Sequence, residues 1–178
     1  LRVLILEKER FPREHVGESQ LPPISAILHE MGVWEKVEAA NFPIKIGATY
    51  RWGGSEKLWD FEFIPPAMFK DEPRPARYEG QRRATAFQVD RALYDQILLR
   101  HAESLGATVM EETRVTSLAA DGDRIRSVTA EPASGGPART FTADHFADAS
   151  GHIGTLRRAL GVGITVPTRL KNVAMWDY

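Results

Sequence analysis

The sequence of 178 residues contains no cysteine, which excludes disulfide bonds, thiolate metal ligands and a cysteine nucleophile. Its net charge is −1, so it has no excess of basic residues with which to hold nucleic acid or an anionic membrane. It also lacks any run of the roughly 20 apolar residues that a membrane-spanning helix requires. We therefore expect a cytoplasmic protein whose partners include neither a nucleic acid nor a membrane.

Several motifs of catalytic and binding sites are missing as well. The five histidines do not have the spacing of metal ligands, so no metal site is predicted. No Gly-x-Ser-x-Gly elbow and no P-loop occurs. The Gly-x-Gly-x-x-Gly fingerprint of dinucleotide-binding folds is absent too, but its expected place falls before residue 1. We place His29 and His101 on the surfaces of predicted helices.

The pattern of apolar residues predicts an α/β chain with an antiparallel excursion. Predicted helices lie at 24–40, weakened at Gly32, and at 90–105, capped by Asp90. Predicted strands lie at 2–7, 44–52, 58–63, 108–111, 113–119, 124–131 and 140–148. The second and third of these strands form a hairpin around Gly53-Gly54, and a long loop follows at 65–83.

Three charged residues stand where a dinucleotide-binding fold places charge. Glu7 ends the first strand, where a carboxylate accepts hydrogen bonds from ribose hydroxyls. Arg91 begins a helix, where a cation opposes the helix dipole and indicates a nearby anion. Asp148 precedes small residues up to Gly151, which would let backbone N–H groups approach a phosphate or ribose. Each also has an ordinary explanation as a strand exit, a solvated surface arginine or a tight connection.

Lys45 is a candidate catalytic residue, because its side chain ends in an amine. Apart from Arg51, it is the only basic residue of its predicted strand. A lysine that is partly removed from water presents a reactive amine, whereas most strand lysines are solvated at a sheet edge. Taken by itself, the solvated interpretation is favoured.

The order of these segments resembles that of flavin-dependent halogenases along nearly the whole chain. The matching segments are FPREHVGESQLP (11–22), KIGATYRWG (45–53), 58–63, FQVDR (87–91) with the helix that follows, ADASG (147–151), 157–161 and 172–178. Each motif is short, but their joint order and spacing are specific. The resemblance is greater to the branch that acts on phenolic and pyrrolic substrates, often held on a carrier protein, than to the tryptophan branch.

The resemblance implies a p-hydroxybenzoate-hydroxylase-like fold. In that fold 1–40 and 86–162 would form part of a Rossmann-type FAD-binding domain. The ranges 41–85 and 163–178 would belong to a sheet on the substrate side. Both ends of the sequence are apolar, so we expect the chain to continue beyond them.

The resemblance also implies roles for individual residues. The cofactor-binding residues would be Glu7 at the FAD ribose, His15, Glu18 and Arg91 near the pyrophosphate, and Asp148 and Gly151 in a second flavin-binding motif. Lys45 matches the family's catalytic lysine. A separate flavin reductase would supply reduced FAD, which with oxygen gives a flavin hydroperoxide. Chloride or bromide would attack it, and Lys45 would relay the resulting hypohalous acid to an electron-rich aromatic ring.

Two other functions stay open at this point. One is an FAD-dependent aromatic hydroxylase or a geranylgeranyl-reductase-like oxidoreductase, which needs no lysine relay. The other is a non-catalytic nucleotide-binding or interaction domain, which would take up no FAD. Loss of halogenation on substitution of Lys45 separates the first from a halogenase, and cofactor uptake separates the second.

Overall fold

The computed structural model describes residues 1–166, which form two compact units that meet in sequence between Glu112 and Thr113. The first unit contains β1 (Leu4–Leu6), α1 (Pro23–Glu30), α2 (Trp34–Ala39), β2 (Ile44–Lys45), β3 (Gly47–Arg51), β4 (Leu58–Glu62), β5 (Ala86–Phe87), α3 (Arg91–Ser104) and β6 (Thr108–Met110). The second contains β7 (Thr113–Asp121), β8 (Arg124–Pro132), β9 (Arg139–Thr142) and α4 (Thr155–Ala159). Short 3₁₀ helices lie at Pro66–Met68, Gly80–Ala84 and Gly151–Ile153. Within 1–166, no helix has the length and apolar content needed to cross a membrane.

Both predicted helices are confirmed. The first is interrupted where Gly32 was predicted to weaken it, because Gly32 has a φ of +72° between α1 and α2. The second begins after Asp90, whose carboxylate accepts hydrogen bonds from the N–H groups of Ala92 at 2.8 Å and Leu93 at 3.3 Å. These bonds satisfy two donors that the first turn of a helix leaves without partners.

The strand pairings agree with the predicted α/β class. β1 and β6 pair in parallel, with Leu4 opposite Thr108, and α3 precedes β6 along the chain. A parallel pair requires such a crossover connection. β3 and β4 form the predicted antiparallel hairpin, with Gly47 opposite Glu62 and Arg51 opposite Leu58. The division of the chain into a cofactor domain and a substrate-side sheet stays a prediction.

The strand predicted at 140–148 is shorter than expected. β9 pairs with β8 only from Arg139 to Thr142, where Thr142 lies opposite Ser127. A strand persists only where a neighbour supplies backbone hydrogen bonds, and within 1–166 the β8–β9 pairing goes no further. Asp148 therefore follows an extended loop and not a strand. The segment 172–178, which the resemblance includes, lies outside the described residues.

His101 is buried, and its predicted place on a helix surface is wrong. Its ring is 6% exposed, with Nδ1 at 3.0 Å from Nζ of Lys36 and Nε2 at 2.8 Å from the carbonyl oxygen of Met31. Because an ammonium group only donates, Nδ1 accepts from Lys36 and Nε2 donates to Met31. Polar partners on α2 and at the end of α1 thus satisfy a side chain that periodicity assigned to solvent. Leu93, predicted in the apolar stripe of α3, is 39% exposed instead.

The core of the first unit is apolar and aromatic. It joins α1, α2 and α3 to β5 through Leu28, Val33, Trp34, Val37, Phe42, Phe87, Val89 and Tyr94. Burial of these side chains fixes β5 against the helices and so fixes β2, which pairs with it.

Buried charges attach the loop 65–83 to this core. Glu38 of α2 is fully buried, and its Oε2 accepts a hydrogen bond from Nε of Arg74 at 2.8 Å. Arg82 is also fully buried, with its Nε at 3.4 Å from Glu38 Oε1 and at 3.4 Å from Glu72 Oε2. Arg74 further donates to the carbonyl oxygen of Phe42 at 2.6 Å. The carboxylate of Glu38 therefore binds two arginines of this polar loop and attaches the loop to the core.

Replacement of Glu38 by glutamine should destabilise the protein strongly. Glu38→Gln removes the charge that compensates Arg82 inside the core, and breaking a buried ion pair from one side costs about 3–5 kcal/mol. Urea unfolding of the whole protein measures the change. The matched control is Glu35→Gln, which alters an exposed residue of the same helix. Equal, small changes for both variants would contradict the assigned role of Glu38.

Candidate active site around Lys45

A cavity of about 590 Å³ opens in the first unit beside Lys45. Its walls come from β2, β3 and β4, together with Ser19 and Gln88. Ser19 and Gln88 form an isolated antiparallel bridge, which brings the segment after the predicted cofactor loop into the wall. The cavity therefore collects residues that are far apart in sequence.

Backbone pairing on both sides of β5 builds this wall. On one side, the N–H of Gln20 donates to the carbonyl oxygen of Phe87 at 3.0 Å. On the other side, the N–H of Gln88 donates to the carbonyl oxygen of Pro43 at 2.9 Å, just before β2. Segment 18–20, β5 and β2 thus run next to one another in that order.

The side chain of Lys45 is half-buried in the wall of the cavity. Its Nζ donates to Oγ of Ser19 at 2.8 Å and to the carbonyl oxygen of Gln20 at 3.0 Å. It also lies 5.4 Å from the centroid of the Phe63 ring. An ammonium group has three protons, so these two acceptors leave one for a molecule in the cavity.

Two carboxylates line the same cavity as Lys45. Asp60 and Glu62 are two positions apart on β4 and so share one face of it; they pair with Thr49 and Gly47 of β3, respectively. The hydroxyl group of Thr49 donates to Oδ1 of Asp60 at 2.6 Å. The cavity therefore presents one amine and two carboxylates.

Three residues of this site were missed from the sequence. The period-two pattern of Leu58 to Phe63 already placed Asp60 and Glu62 on a common face, which was a usable signal. Ser19 gave none, because nothing in its neighbourhood indicates which strand it will pair with.

Gly47 is required by a close approach of two backbones. A Cβ atom added at Gly47 would lie 2.6 Å from the carbonyl oxygen of Phe61 and 3.2 Å from Cα of Glu62. Both are backbone atoms, which cannot turn away as a flexible side chain can. β3 and β4 therefore meet at the cavity with no room for a side chain.

We expect Gly47→Ala to reduce the free energy of unfolding by about 1–3 kcal/mol through overpacking. The matched control is Gly54→Ala in the turn of the same hairpin, where an added Cβ meets no atom within 4 Å. Urea unfolding of both variants is the measurement. Equal free energies of unfolding for the two variants would show that the close approach at Gly47 does not affect stability.

Two of the predicted cofactor residues of the first unit, His15 and Glu18, belong to the loop that contacts Arg91. Its guanidinium donates to the carbonyl oxygen of Val16 and to both carboxylate oxygens of Asp95, at 2.8 and 2.9 Å. The hydrogen bonds to Asp95 raise the pKa of Arg91 above its ordinary value. The guanidinium lies so close to Gly17 that an added Cβ there would be 2.8 Å from Nη1. The anion next to Arg91 is thus its own helix neighbour.

His15 and Glu18 belong to the same loop. Nδ1 of His15 lies 2.8 Å from the carbonyl oxygen of Val16, and the charge of Glu18 attracts Arg91. Glu7 belongs to the β1–β6 pair, where its N–H donates to Met110 at 3.0 Å and its carboxylate accepts from the N–H of Glu9 at 2.9 Å.

In the second unit, Asp148 organises the loop that leads into α4. Its Oδ1 accepts hydrogen bonds from the hydroxyl of Ser150 at 2.5 Å and from the Ser150 N–H at 3.1 Å. Its Oδ2 accepts from the N–H groups of Leu156 at 2.9 Å and Arg157 at 3.3 Å. These bonds, that of the Ser150 hydroxyl above all, lower the pKa of Asp148. Gly151 has a φ of +63°, which glycine adopts most readily.

The order of this loop should depend on pH. Because the pKa of Asp148 is lower in the folded state than its ordinary value of 3.8, ionised Asp148 stabilises the loop above that value. The stabilisation is lost as the pH falls through the lower, folded value. Hydrogen exchange at the Leu156 and Arg157 amides should therefore lose protection at low pH. Asp148→Asn should reduce it at neutral pH, and Asp144→Asn, an exposed control, should not. Unchanged protection in Asp148→Asn would contradict this role.

Comparison with known proteins identifies related sequences. A family model described as an FAD binding domain matches residues 18–177. A chlorinase of 1H-pyrrole-2-carbonyl peptidyl-carrier protein from Pseudomonas fluorescens is 39% identical over 125 residues, which cover 66% of this chain and 27% of the relative. A tryptophan 2-halogenase from Chondromyces crocatus is 32% identical over 99% of this chain and 30% of its own length.

The crystal structure of CmlS, a flavin-dependent halogenase, has the same fold over most of this chain. The two align with a TM-score of 0.73 and 38% identity, covering 90% of this chain and 26% of CmlS. These matches confirm the resemblance and the fold class predicted from the sequence. The chain spans less than a third of the length of these relatives.

Proposed function

The chain belongs to the FAD-binding domain family, and from this premise we propose that the whole protein is an FAD-dependent halogenase of an electron-rich aromatic compound. The observation that carries the proposal is the position of Lys45. Its amine lines a cavity, is held by two acceptors and has a proton left for a guest. A hydroxylase would have no use for such an amine.

The described residues fit FAD in their chemistry. Arg91, three of whose N–H groups Asp95 and Val16 already bind, has donors left for a pyrophosphate, and Gly17, with a φ of +105°, leaves the backbone beside it without a side chain. His15 and Glu18 flank that point, and Glu7 offers a carboxylate to ribose hydroxyls at the end of a parallel strand. In the second unit, Asp148 and Gly151 would serve through the loop that they shape.

When bound, reduced FAD from a separate flavin reductase would supply the oxidation of chloride or bromide by dioxygen to hypohalous acid. Lys45 then acts on that product. Its remaining N–H donates to the oxygen of hypohalous acid, which weakens the bond from oxygen to halogen. As a ring carbon forms its bond to the halogen, the oxygen leaves as water with the proton that the ring gives up. A haloamine formed on Nζ is the other route to the same product.

The preferred substrate class is phenolic or pyrrolic, with the ring held on a carrier protein. Support comes from the Pseudomonas relative, whose name describes a carrier-bound pyrrole. The open cavity admits a ring from outside while Lys45 stays in the wall. A cytoplasmic location accords with this proposal and is itself a prediction.

Lys45→Ala and Lys45→Arg should both lower the rate of halogenation about a hundredfold or more, because neither variant places an amine at the same point. FAD content, measured from the absorbance of the purified whole protein, should be unchanged. Lys57→Ala, at an exposed lysine of the hairpin turn, is the control. Product is followed by mass spectrometry of a pyrrole supplied free and on a carrier protein.

Other outcomes of this experiment favour other functions. Halogenation retained by Lys45→Ala would remove the role of the lysine. A hydroxylated product from the wild-type protein would favour an aromatic hydroxylase. A whole protein that takes up no FAD at micromolar concentration would favour a non-catalytic domain.

A further inference from the structure

Both acceptors of the Lys45 amine lie on one short segment of the chain. Ser19 contributes a hydroxyl oxygen at 2.8 Å, and Gln20 contributes a backbone carbonyl oxygen at 3.0 Å. This segment directly follows the loop of His15 and Glu18. The amine of the substrate-side sheet is therefore held by residues contiguous with the predicted cofactor loop.

Backbone bonds fix the segment, so its two acceptors have defined positions. Ser19 pairs with Gln88, and on either side of it Gln20 donates to Phe87 at 3.0 Å and Val89 donates to Glu18 at 2.9 Å. Since β5 lies between this segment and β2, the Lys45 side chain reaches across β5 to its acceptors. A hydroxyl group on a fixed backbone can therefore fix the direction of the amine that donates to it.

The same cavity contains competing acceptors that bear charge. Asp60 and Glu62 line it, and a carboxylate attracts an ammonium group more strongly than a hydroxyl does. Yet Lys45 forms no ion pair with any described carboxylate, and its amine bonds only to neutral oxygens within 1–166. The hydrogen bonds of the amine are thus directed to segment 18–20 and not to the carboxylates that line the same cavity.

We propose that Ser19 is a positioning residue that, together with the carbonyl group of Gln20, holds the Lys45 amine on the cavity wall and out of an ion pair with Asp60 or Glu62. The inference rests on the proposed function in that it assigns a purpose to the position of Lys45. Without the hydroxyl group, the amine turns toward the carboxylates. An ammonium group paired with a carboxylate then has no proton directed at hypohalous acid.

The first measurement needs neither cofactor nor activity. The whole protein is treated with an amine-acylating reagent at fixed pH, and the rate at Lys45 is read by peptide mass spectrometry. Ser19→Ala should slow acylation of Lys45 several-fold, because an ion-paired amine is less available to the reagent. Ser19→Thr keeps a hydroxyl group and should restore the rate, and Ser104→Ala is the control. Adding Asp60→Asn and Glu62→Gln to Ser19→Ala should also restore it.

The second measurement follows halogenation. Ser19→Ala should lower kcat roughly 10- to 100-fold, as expected for a displaced reacting group, with KM for the aromatic substrate unchanged. FAD content should stay at the wild-type level, and more hypohalous acid should reach a scavenger in bulk solvent. Ser19 is exposed, so its loss should leave the thermal unfolding temperature unchanged.

The two measurements separate the two hypotheses. Acylation of Lys45 at the wild-type rate in Ser19→Ala overturns the positioning role whatever the enzyme does. A slowed acylation that Ser19→Thr restores, in a protein that halogenates nothing, supports the positioning role and overturns the proposed function. If Ser19→Ala proves unstable, the double variant Asp60→Asn/Glu62→Gln with Ser19 intact serves instead. The proposal expects an unchanged acylation rate at Lys45 in it, and a faster rate would show that the amine already pairs with these carboxylates, which overturns the positioning role.

Discussion

The site depends on the backbone hydrogen bonds that place β5 between segment 18–20 and β2. Those bonds bring Ser19 within reach of Lys45 although 26 positions separate them in sequence. Burial of Phe87 in the aromatic core anchors β5 and, through it, both neighbours. The chemistry of the cavity is thus a consequence of core packing, since the amine has a fixed direction only while β5 has a fixed place.

Charged residues in this chain act first on the chain itself. Arg91 pairs with Asp95, Glu38 holds Arg74, and Asp148 gathers N–H groups of its own loop. Each of these charged groups thus has a partner within the chain itself, without any ligand. A carboxylate that shapes a loop and a carboxylate that binds a ligand give the same sequence signal, so charge at a strand or helix end does not by itself distinguish the two.

Local patterns predicted much of the fold, and distant pairings limited the rest. The helix break at Gly32, the cap at Asp90 and the hairpin follow from nearest neighbours along the chain, and the structure confirms them. The burial of His101 depends on a lysine and a carbonyl group from other helices, and the contact of Ser19 with Lys45 depends on a bridge to Gln88. Neither partner is visible within a local window. The position of Lys45 came from the family resemblance, since its own strand gave no sign of the cavity.

The contact at Gly47 bears on how such sites can be exchanged between relatives. At Gly47 the strand that bears this glycine and the strand that faces it approach too closely for a side chain, so the two strands form a matched pair. A hairpin transplanted from a relative would carry its own spacing, and a bulkier residue here would displace the backbone of Phe61 and Glu62. Exchange of this part of the cavity between relatives should therefore move β3 and β4 together, with the junctions outside both strands.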